Sequence, residues 1–188
     1  MDFLPQFTIS IHNAFWFSLL FWINNLIILK IYPSHYKDRV LQMPGFEKKG
    51  FQQIISIFNF FLFQGLIIVV LFMPLRVDSS YFVVGLVLFI ISVMAYIMSL
   101  IAYATSNPDL PVTKGVYKLS RNPQQISTIF MWIGIGLMTN SILIIIICVI
   151  QLFTVYPTFI AQEKFCIDKY GFDYQVYMKK APRYFLFF

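Results

Sequence analysis

Charge is scarce in this chain of 188 residues, of which 12% are charged and 59% are hydrophobic. A water-soluble domain carries about 25% charged residues, so a soluble globular fold is excluded. Cysteine and histidine are also scarce, with two of each, and Cys148 and Cys166 lie far in sequence from His12 and His35. We therefore expect neither a disulfide nor a metal site, and we interpret both cysteines as small buried hydrophobes.

Long apolar runs are abundant instead. A helix needs about 20 consecutive apolar residues to cross a bilayer; four runs reach that length and a fifth is shorter. The predicted spans are Thr8–Tyr32, Gln53–Leu75, Ser80–Ala104, Gln125–Met138 and Ser141–Ala161. The first run is too long for a cleaved signal peptide and has no basic segment before it. The sequence therefore predicts an all-α integral membrane protein with five transmembrane helices, the last two forming a helical hairpin.

The basic residues are distributed unevenly between the connections. Of the 14 lysines and arginines, only Arg76 falls in the second connection, and the others flank or occupy the first loop, the third loop and the tail. The positive-inside rule then predicts an outside N-terminus and a cytoplasmic C-terminus. Because the basic face would rest against anionic headgroups, the net charge of +6 does not indicate a nucleic-acid partner. The membrane would be a plasma or inner membrane in a prokaryote and the endoplasmic reticulum in a eukaryote.

Single residues inside the spans predict how the helices pack. Gly134 and Gly136 are expected to allow close backbone approach within the hairpin, and Pro157 is expected to bend the last span. Pro123 suits the first turn of a helix, where its missing N–H is not needed. Polar residues in the spans either line a substrate path or hydrogen-bond to neighbouring helices, and the second is the commoner use. These residues are Asn24, Asn25, Asn59 and Gln64. We expect a single membrane domain over 1–188, with three spans in 1–104 and a binding loop, hairpin and tail in 105–188.

The polar segment 115–125, GVYKLSRNPQQ, lies between two apolar runs, and the hairpin is followed by QEKFCIDKYGFDYQVYMKKAPRYF. The ordered features are a G-x-Y, an R-N-P, an acid eight residues before Gly171, two tyrosines at 174 and 177, and Pro182-Arg183. This pattern resembles the superfamily of isoprenylcysteine carboxyl methyltransferases and phospholipid methyltransferases, which are integral membrane enzymes. The resemblance extends from Leu110 to Tyr184.

The resemblance implies a methyltransferase that uses S-adenosylmethionine at the cytoplasmic face. The acceptor would be a lipid-like or small apolar molecule that enters from the bilayer and presents a carboxylate, an amine or a thiol. It implies catalytic roles for Arg121 and Glu163. The implied cofactor contacts are Leu110, Pro111, Val112, Tyr117, Asn122, Pro123, Gln124, Gln125, Gln162 and Glu163. No metal is implied.

The chemistry of these residues suits such a donor. Glu163 can accept hydrogen bonds from the donor's ammonium or ribose hydroxyls, and the amides behind Pro123 can hold an anion at a helix start. Tyr117 can pack on adenine or on the sulfonium, because aromatic faces attract cations. Structural roles are the alternative: Arg121 can snorkel to lipid phosphates, and Glu163 can pair with a lysine of its own helix.

The chain differs from the superfamily pattern at three places. Gln125 stands where a tyrosine is expected, and Gln162 replaces the first residue of an acidic pair. Residues 155–159 contain no arginine, although the carboxyl methyltransferases hold their substrate carboxylate with one there, which argues against a prenylcysteine substrate. Two other functions stay open. One is an NADPH-dependent membrane reductase of the steroid-reductase type, and the other is a non-catalytic membrane scaffold that keeps the fold.

Overall fold

Seven α-helices make up most of the computed structural model, which describes residues 7–8, 10, 12–31 and 50–184. The helices are α1 (Phe15–Ile31), α2 (Phe51–Leu71), α3 (Ser80–Ala104), α4 (Pro123–Met138), α5 (Ile142–Thr154), α6 (Tyr156–Tyr170) and α7 (Phe172–Met178). A short 3-10 turn over Gly115–Lys118 lies between α3 and α4. Within the described ranges there is no β-strand, only an isolated bridge between Asn13 and Pro74. The prediction of an all-α fold is confirmed.

Three helical stretches of the described chain are long and apolar enough to cross a membrane. They are Gln53–Leu71, Ser80–Ala104 and the α5–α6 stretch Ile142–Tyr170. The helix α1 has 17 residues and α4 has 16, both below the length of about 20 that a bilayer core requires. Five spans and their orientation stay predictions. Much of the charge that predicts the orientation lies outside the described residues, namely Lys37, Arg39, Lys48 and Lys49.

Backbone hydrogen bonds join three segments at one end of the helix assembly: the start of α1, the α2–α3 turn and the hairpin turn. The N–H of Ala14 donates to the carbonyl of Met73 at 2.8 Å, which joins the start of α1 to the end of α2. The N–H of Arg76 donates to the carbonyl of Met138 at 2.9 Å, which joins the α2–α3 turn to the hairpin turn. The opposite end therefore carries the α3–α4 connection and the α6–α7 region, the parts that the resemblance singles out.

Helices α4 and α5 form the predicted hairpin, and its two glycines face different neighbours. A Cβ on Gly136 would lie 3.0 Å from Cγ2 of Ile144 in α5, as expected for close approach within the hairpin. A Cβ on Gly134 would instead lie 2.8 Å from the carbonyl oxygen of Gly85 in α3, and one on Gly85 would lie 2.6 Å from the carbonyl oxygen of Gly134. The expectation that Gly134 packs within the hairpin was wrong, because it belongs to the α3–α4 crossing.

A break at Val155 separates α5 from α6, as Pro157 predicts. Proline has no N–H to donate into the preceding turn, and the N–H of Thr158 donates to Val155 rather than to Thr154. The freed carbonyl of Thr154 accepts a hydrogen bond of 2.6 Å from the side-chain amide of Asn59 in α2. The hydroxyl of Thr154 returns a hydrogen bond of 2.6 Å to Oδ1 of Asn59. Asn59 therefore has the interhelical role, satisfying a backbone group that lipid could not satisfy.

Candidate functional site

The R-N-P segment before α4 is held by the C-terminal tail. The N–H of Arg121 donates to the carbonyl of Pro182 at 2.8 Å. The hydroxyl of Ser120 and the side-chain amide of Asn122 both donate to the carbonyl of Arg183, at 3.1 and 3.2 Å. The Ser120 hydroxyl also accepts from the N–H of Asn122 at 3.0 Å. The start of α4 is thus fixed by contacts from about 60 residues further along the chain.

A buried ion cluster lies beneath this segment. Glu163 is 4% exposed and accepts two hydrogen bonds from Arg183, each of 2.8 Å, from Nε and Nη2. The hydrogen bond to Glu163 raises the pKa of Arg183 above its usual range. Nη2 of Arg121 lies 3.5 Å from Oε1 of Glu163, and the guanidinium of Arg183 also lies 5.0 Å from the ring centre of Tyr156. The alternative that Glu163 pairs with a lysine of its own helix, Lys164 or Lys169, is wrong, because its carboxylate contacts these two arginines instead.

A cavity opens beside the cluster, between the start of α4, the segment before it, and helices α6 and α7. The volume of the cavity is about 70 Å³, and all of the space between its atoms, open solvent included, is about 640 Å³. Most of the expected contact residues line it, together with Arg121. They are Pro111, Val112, Tyr117, Asn122, Pro123, Gln124, Gln125 and Gln162.

Two expected residues do not line the cavity. Leu110 is 49% exposed and lies outside its wall. Glu163 is buried behind the wall, with both carboxylate oxygens bonded to Arg183. The next residue toward the N-terminus, Gln162, faces the cavity instead. Successive helical residues point about 100° apart, which is why neighbouring positions of one motif face different surroundings.

Aromatic side chains form much of the remaining wall. Tyr174 and Tyr177 line the cavity with ring centres 5.7 Å apart, and the hydroxyl of Tyr177 donates to the carbonyl of Tyr117 at 2.6 Å. Burial raises the pKa of Tyr174 and of Tyr177 above the usual range for tyrosine, so both remain neutral phenols at physiological pH. The sequence interpretation did not include the other wall residues Tyr103, Phe165, Cys166 and Tyr170. The available signal was the spacing within each helix: positions 166 and 170 are four residues apart on α6, and 174 and 177 are three residues apart on α7.

Two of the three departures from the superfamily pattern, Gln125 and Gln162, meet at this cavity. Nε2 of Gln125 donates to Oε1 of Gln162 at 3.4 Å, across 37 positions of sequence. Nearby, Nε2 of Gln124 donates to the hydroxyl of Tyr117 at 3.2 Å. The contact between Gln125 and Gln162 is long for a hydrogen bond. A neutral amide pair therefore occupies the place where the pattern has a tyrosine and an acid.

The family model of phospholipid methyltransferases matches residues 81–172, just under half of the chain. The matched range includes α3 from its second residue, the R-N-P segment, the hairpin, and α6 with both Gln162 and Glu163. The match confirms the resemblance drawn from the motifs. No curated protein matches the chain significantly.

Proposed function

We propose that this chain, which shares its central residues with the phospholipid methyltransferases, is a membrane-embedded methyltransferase that uses S-adenosylmethionine. The acceptor is a lipid-like or small apolar molecule that enters from the bilayer at the cytoplasmic face. One observation carries the proposal. A single cavity gathers the tyrosine of G-x-Y, the R-N-P segment and Gln162, which lie far apart in sequence and which the resemblance independently assigns to the donor.

The chemistry of the wall suits the donor, which carries a sulfonium, an ammonium and a carboxylate on an adenosine. When bound, it supplies an electrophilic methyl group. Tyr117, Tyr174 and Tyr177 offer neutral aromatic surface for the adenine and the sulfonium, since aromatic faces attract cations. The amides at the start of α4 have no side-chain cap and can donate to an anionic group at the positive end of the helix. Gln162 and Gln124 offer both donors and acceptors to the polar groups of the adenosine.

Glu163 has a different role in this proposal from the one its motif suggests. Its carboxylate is bonded to Arg183 and lies behind the wall, so it does not bind the ammonium directly. It positions Arg121 and anchors the tail that fixes the start of α4. We therefore assign Glu163 as a positioning residue.

The cavity must widen to hold the donor. Sites for ligands of this size occupy about 300–1,000 Å³, whereas the volume of this cavity is about 70 Å³. The contact of 3.4 Å between Gln125 and Gln162 joins α4 to α6 at the wall. Because this contact is long and neutral, separating the two side chains costs little. Binding of the donor is expected to part them.

The wall also bears on the class of acceptor. Among the described residues that line the cavity there is no Asp, Glu or His. Burial raises the pKa of Tyr174 and of Tyr177, so both phenols stay protonated at neutral pH and cannot take up a proton from an acceptor. A carboxylate acceptor needs no base, whereas an amine must lose a proton before it attacks. This favours an acceptor that is already anionic at neutral pH.

Ligand-dependent thermal stability of the detergent-solubilised protein tests the proposal. A ligand at 100 times its dissociation constant stabilises the folded state by about 2.7 kcal/mol, which corresponds to about 5–11 °C for a chain of this size. We expect S-adenosylhomocysteine to raise the melting temperature and NADPH to leave it unchanged. A shift with NADPH alone would favour the reductase, and no shift with either would favour the scaffold.

A pair of matched variants locates the site. Gln162→Ala removes an amide from the cavity wall and should weaken binding of S-adenosylhomocysteine about tenfold in calorimetric titration, the effect of one lost hydrogen bond of about 1.4 kcal/mol. Gln175→Ala makes the same chemical change at an exposed position of α7 and should bind as the wild type does. Equal affinities for the two variants would argue against this cavity as the donor site.

A further inference from the structure

Arg121 is buried and only partly paired. Its side chain is 8% exposed, and its one charged contact among the described residues joins Nη2 to Oε1 of Glu163 at 3.5 Å. Its other two nitrogens, Nε and Nη1, are buried without a hydrogen-bond partner in the part of the chain that the structure describes. A snorkelling arginine would extend its guanidinium to the membrane surface, so that interpretation does not fit Arg121.

Buried donors without partners are rare, and each one calls for a specific explanation. The backbone of Arg121 is held in place, because its N–H is bonded to the carbonyl of Pro182. Arg121 also lines the cavity beside the start of α4. A ligand in the cavity is therefore the partner that can satisfy these nitrogens.

The local charge balance determines the sign of that ligand. Glu163 is shared by two arginines, and Arg183 takes both of its oxygens at 2.8 Å, so one positive charge remains uncompensated within the described part of the chain. Gln162 is neutral where the superfamily pattern has an acid, and no acid lines the described wall. The uncapped start of α4 adds a partial positive charge.

We propose that Arg121 is an oxyanion-binding residue, which donates hydrogen bonds to a carboxylate or phosphate oxygen of a molecule in the cavity. The proposal rests on the proposed function in so far as that molecule is the methyl donor or the acceptor. The donor would present the carboxylate of its methionine part. The acceptor would present a carboxylate or phosphate from the membrane side.

Equilibrium titration of the purified full chain in detergent distinguishes the two sources. For the donor, the probes are S-adenosylhomocysteine and methylthioadenosine, which share the nucleoside but differ in the amino-acid part that carries the carboxylate. For the acceptor, the probes are dodecanoate and dodecyl phosphate at concentrations below their micelle-forming range. The variants are Arg121→Met, which removes the charge, and Arg121→Lys, which keeps it.

If Arg121 holds the donor, Arg121→Met should weaken S-adenosylhomocysteine about tenfold to a hundredfold, the range expected for a hydrogen bond to a charged group, and leave methylthioadenosine unchanged. If it holds the acceptor, the same loss should appear for dodecanoate or dodecyl phosphate. Arg121→Lys should recover part of either loss. Unchanged affinity for all of the anionic probes overturns the proposal, whether or not the wild type binds the donor analogue.

Two further variants separate an oxyanion site from a merely structural role. Gln162→Glu keeps Arg121 and adds a negative charge on the cavity wall, so it should weaken the same anionic probe that Arg121→Met weakens. Lys164→Met removes one positive charge at an exposed position of α6 and should leave all affinities as they are. Loss of probe binding in Lys164→Met equal to that in Arg121→Met would also overturn the proposal. The wild-type titration with S-adenosylhomocysteine reports on the proposed function separately, because the lipid probes do not depend on it.

Discussion

Replacing Glu163 by glutamine should destabilise the protein strongly, although the side chain keeps its size. The carboxylate is 4% exposed and is the described partner of two buried or half-buried arginines, Arg121 and Arg183. Removing one member of a buried ion pair costs about 3–5 kcal/mol, because the remaining charge is left without compensation. Here two positive charges would remain, so the loss should lie in the upper part of that range.

The assay is thermal unfolding in detergent, followed by a probe of tertiary structure. A loss of about 3–5 kcal/mol corresponds to a fall of about 6–20 °C in the melting temperature for a chain of this size. Asp168→Asn is the matched control, since Asp168 is an exposed acid on the same helix and surface changes of this kind stay within about 0.5 kcal/mol. A melting temperature of Glu163→Gln equal to that of the control would refute the reasoning.

A double-mutant cycle shows whether the loss belongs to the pair. Arg183→Met removes the arginine that donates both short hydrogen bonds to Glu163, and the double variant removes both partners together. Each single variant leaves one charge of the pair buried without its partner, whereas the double variant leaves neither. The combined loss of stability should therefore be clearly smaller than the sum of the two single losses. Additive losses would mean that Glu163 stabilises the fold through some other contact.

Three more predictions follow from the helix contacts and the buried tyrosines. Gly85→Ala should cost about 1–3 kcal/mol of stability by overpacking, because its Cβ would lie 2.6 Å from a backbone oxygen of α4. The control Gly65→Ala, whose Cβ would have nothing within 4 Å, should be neutral or stabilising by up to about 1 kcal/mol. Both are measured by thermal unfolding. Asn59→Leu should cost about 1–2 kcal/mol, because it leaves the carbonyl of Thr154 without its described side-chain donor; a variant as stable as the wild type would contradict this. Burial raises the pKa of Tyr174, so its contribution to stability is complete below pH of about 10 and is lost as the pH rises above that value. Tyr174→Phe should therefore reduce the slope of the unfolding free energy against alkaline pH by up to about 1.4 kcal/mol per pH unit. An unchanged slope in alkaline titrations of unfolding would count against the burial.

The helices could be predicted from the sequence because their signals are local. The third span was predicted as Ser80–Ala104, and α3 has those bounds. Pro123 marks the first residue of α4, and Pro157 produces the break between α5 and α6. Run length, proline chemistry and turn residues act over a few positions, so they can be seen without knowing the fold.

The direction in which a helix face points could not be predicted in the same way. Gly134 and Gly136 are two residues apart and looked equivalent in the hairpin, yet Gly134 meets Gly85 of α3 while Gly136 meets Ile144 of α5. Side chains two residues apart on a helix point about 200° away from each other around the helix axis, so these two glycines face different neighbours. The partner of each glycine depends on which helices lie on the two sides, and that is a property of the tertiary fold.

The site shows the same limit with a chemical consequence. In sequence, Gln125 and Gln162 are two unrelated departures from a methyltransferase pattern, and each one weakens the case for a functional cavity. In the structure they are partners across the same wall. Arg121 lines the same cavity, has two buried nitrogens without a described partner, and carries a charge that Glu163 shares with Arg183. An acid at 162 would compensate that charge and make the wall less receptive to an anion. The departures are therefore better explained as one joint change in the cavity wall than as two separate losses. Only the residue at 162 changes the charge of that wall, and the affinity of Gln162→Glu for anionic probes measures this change directly.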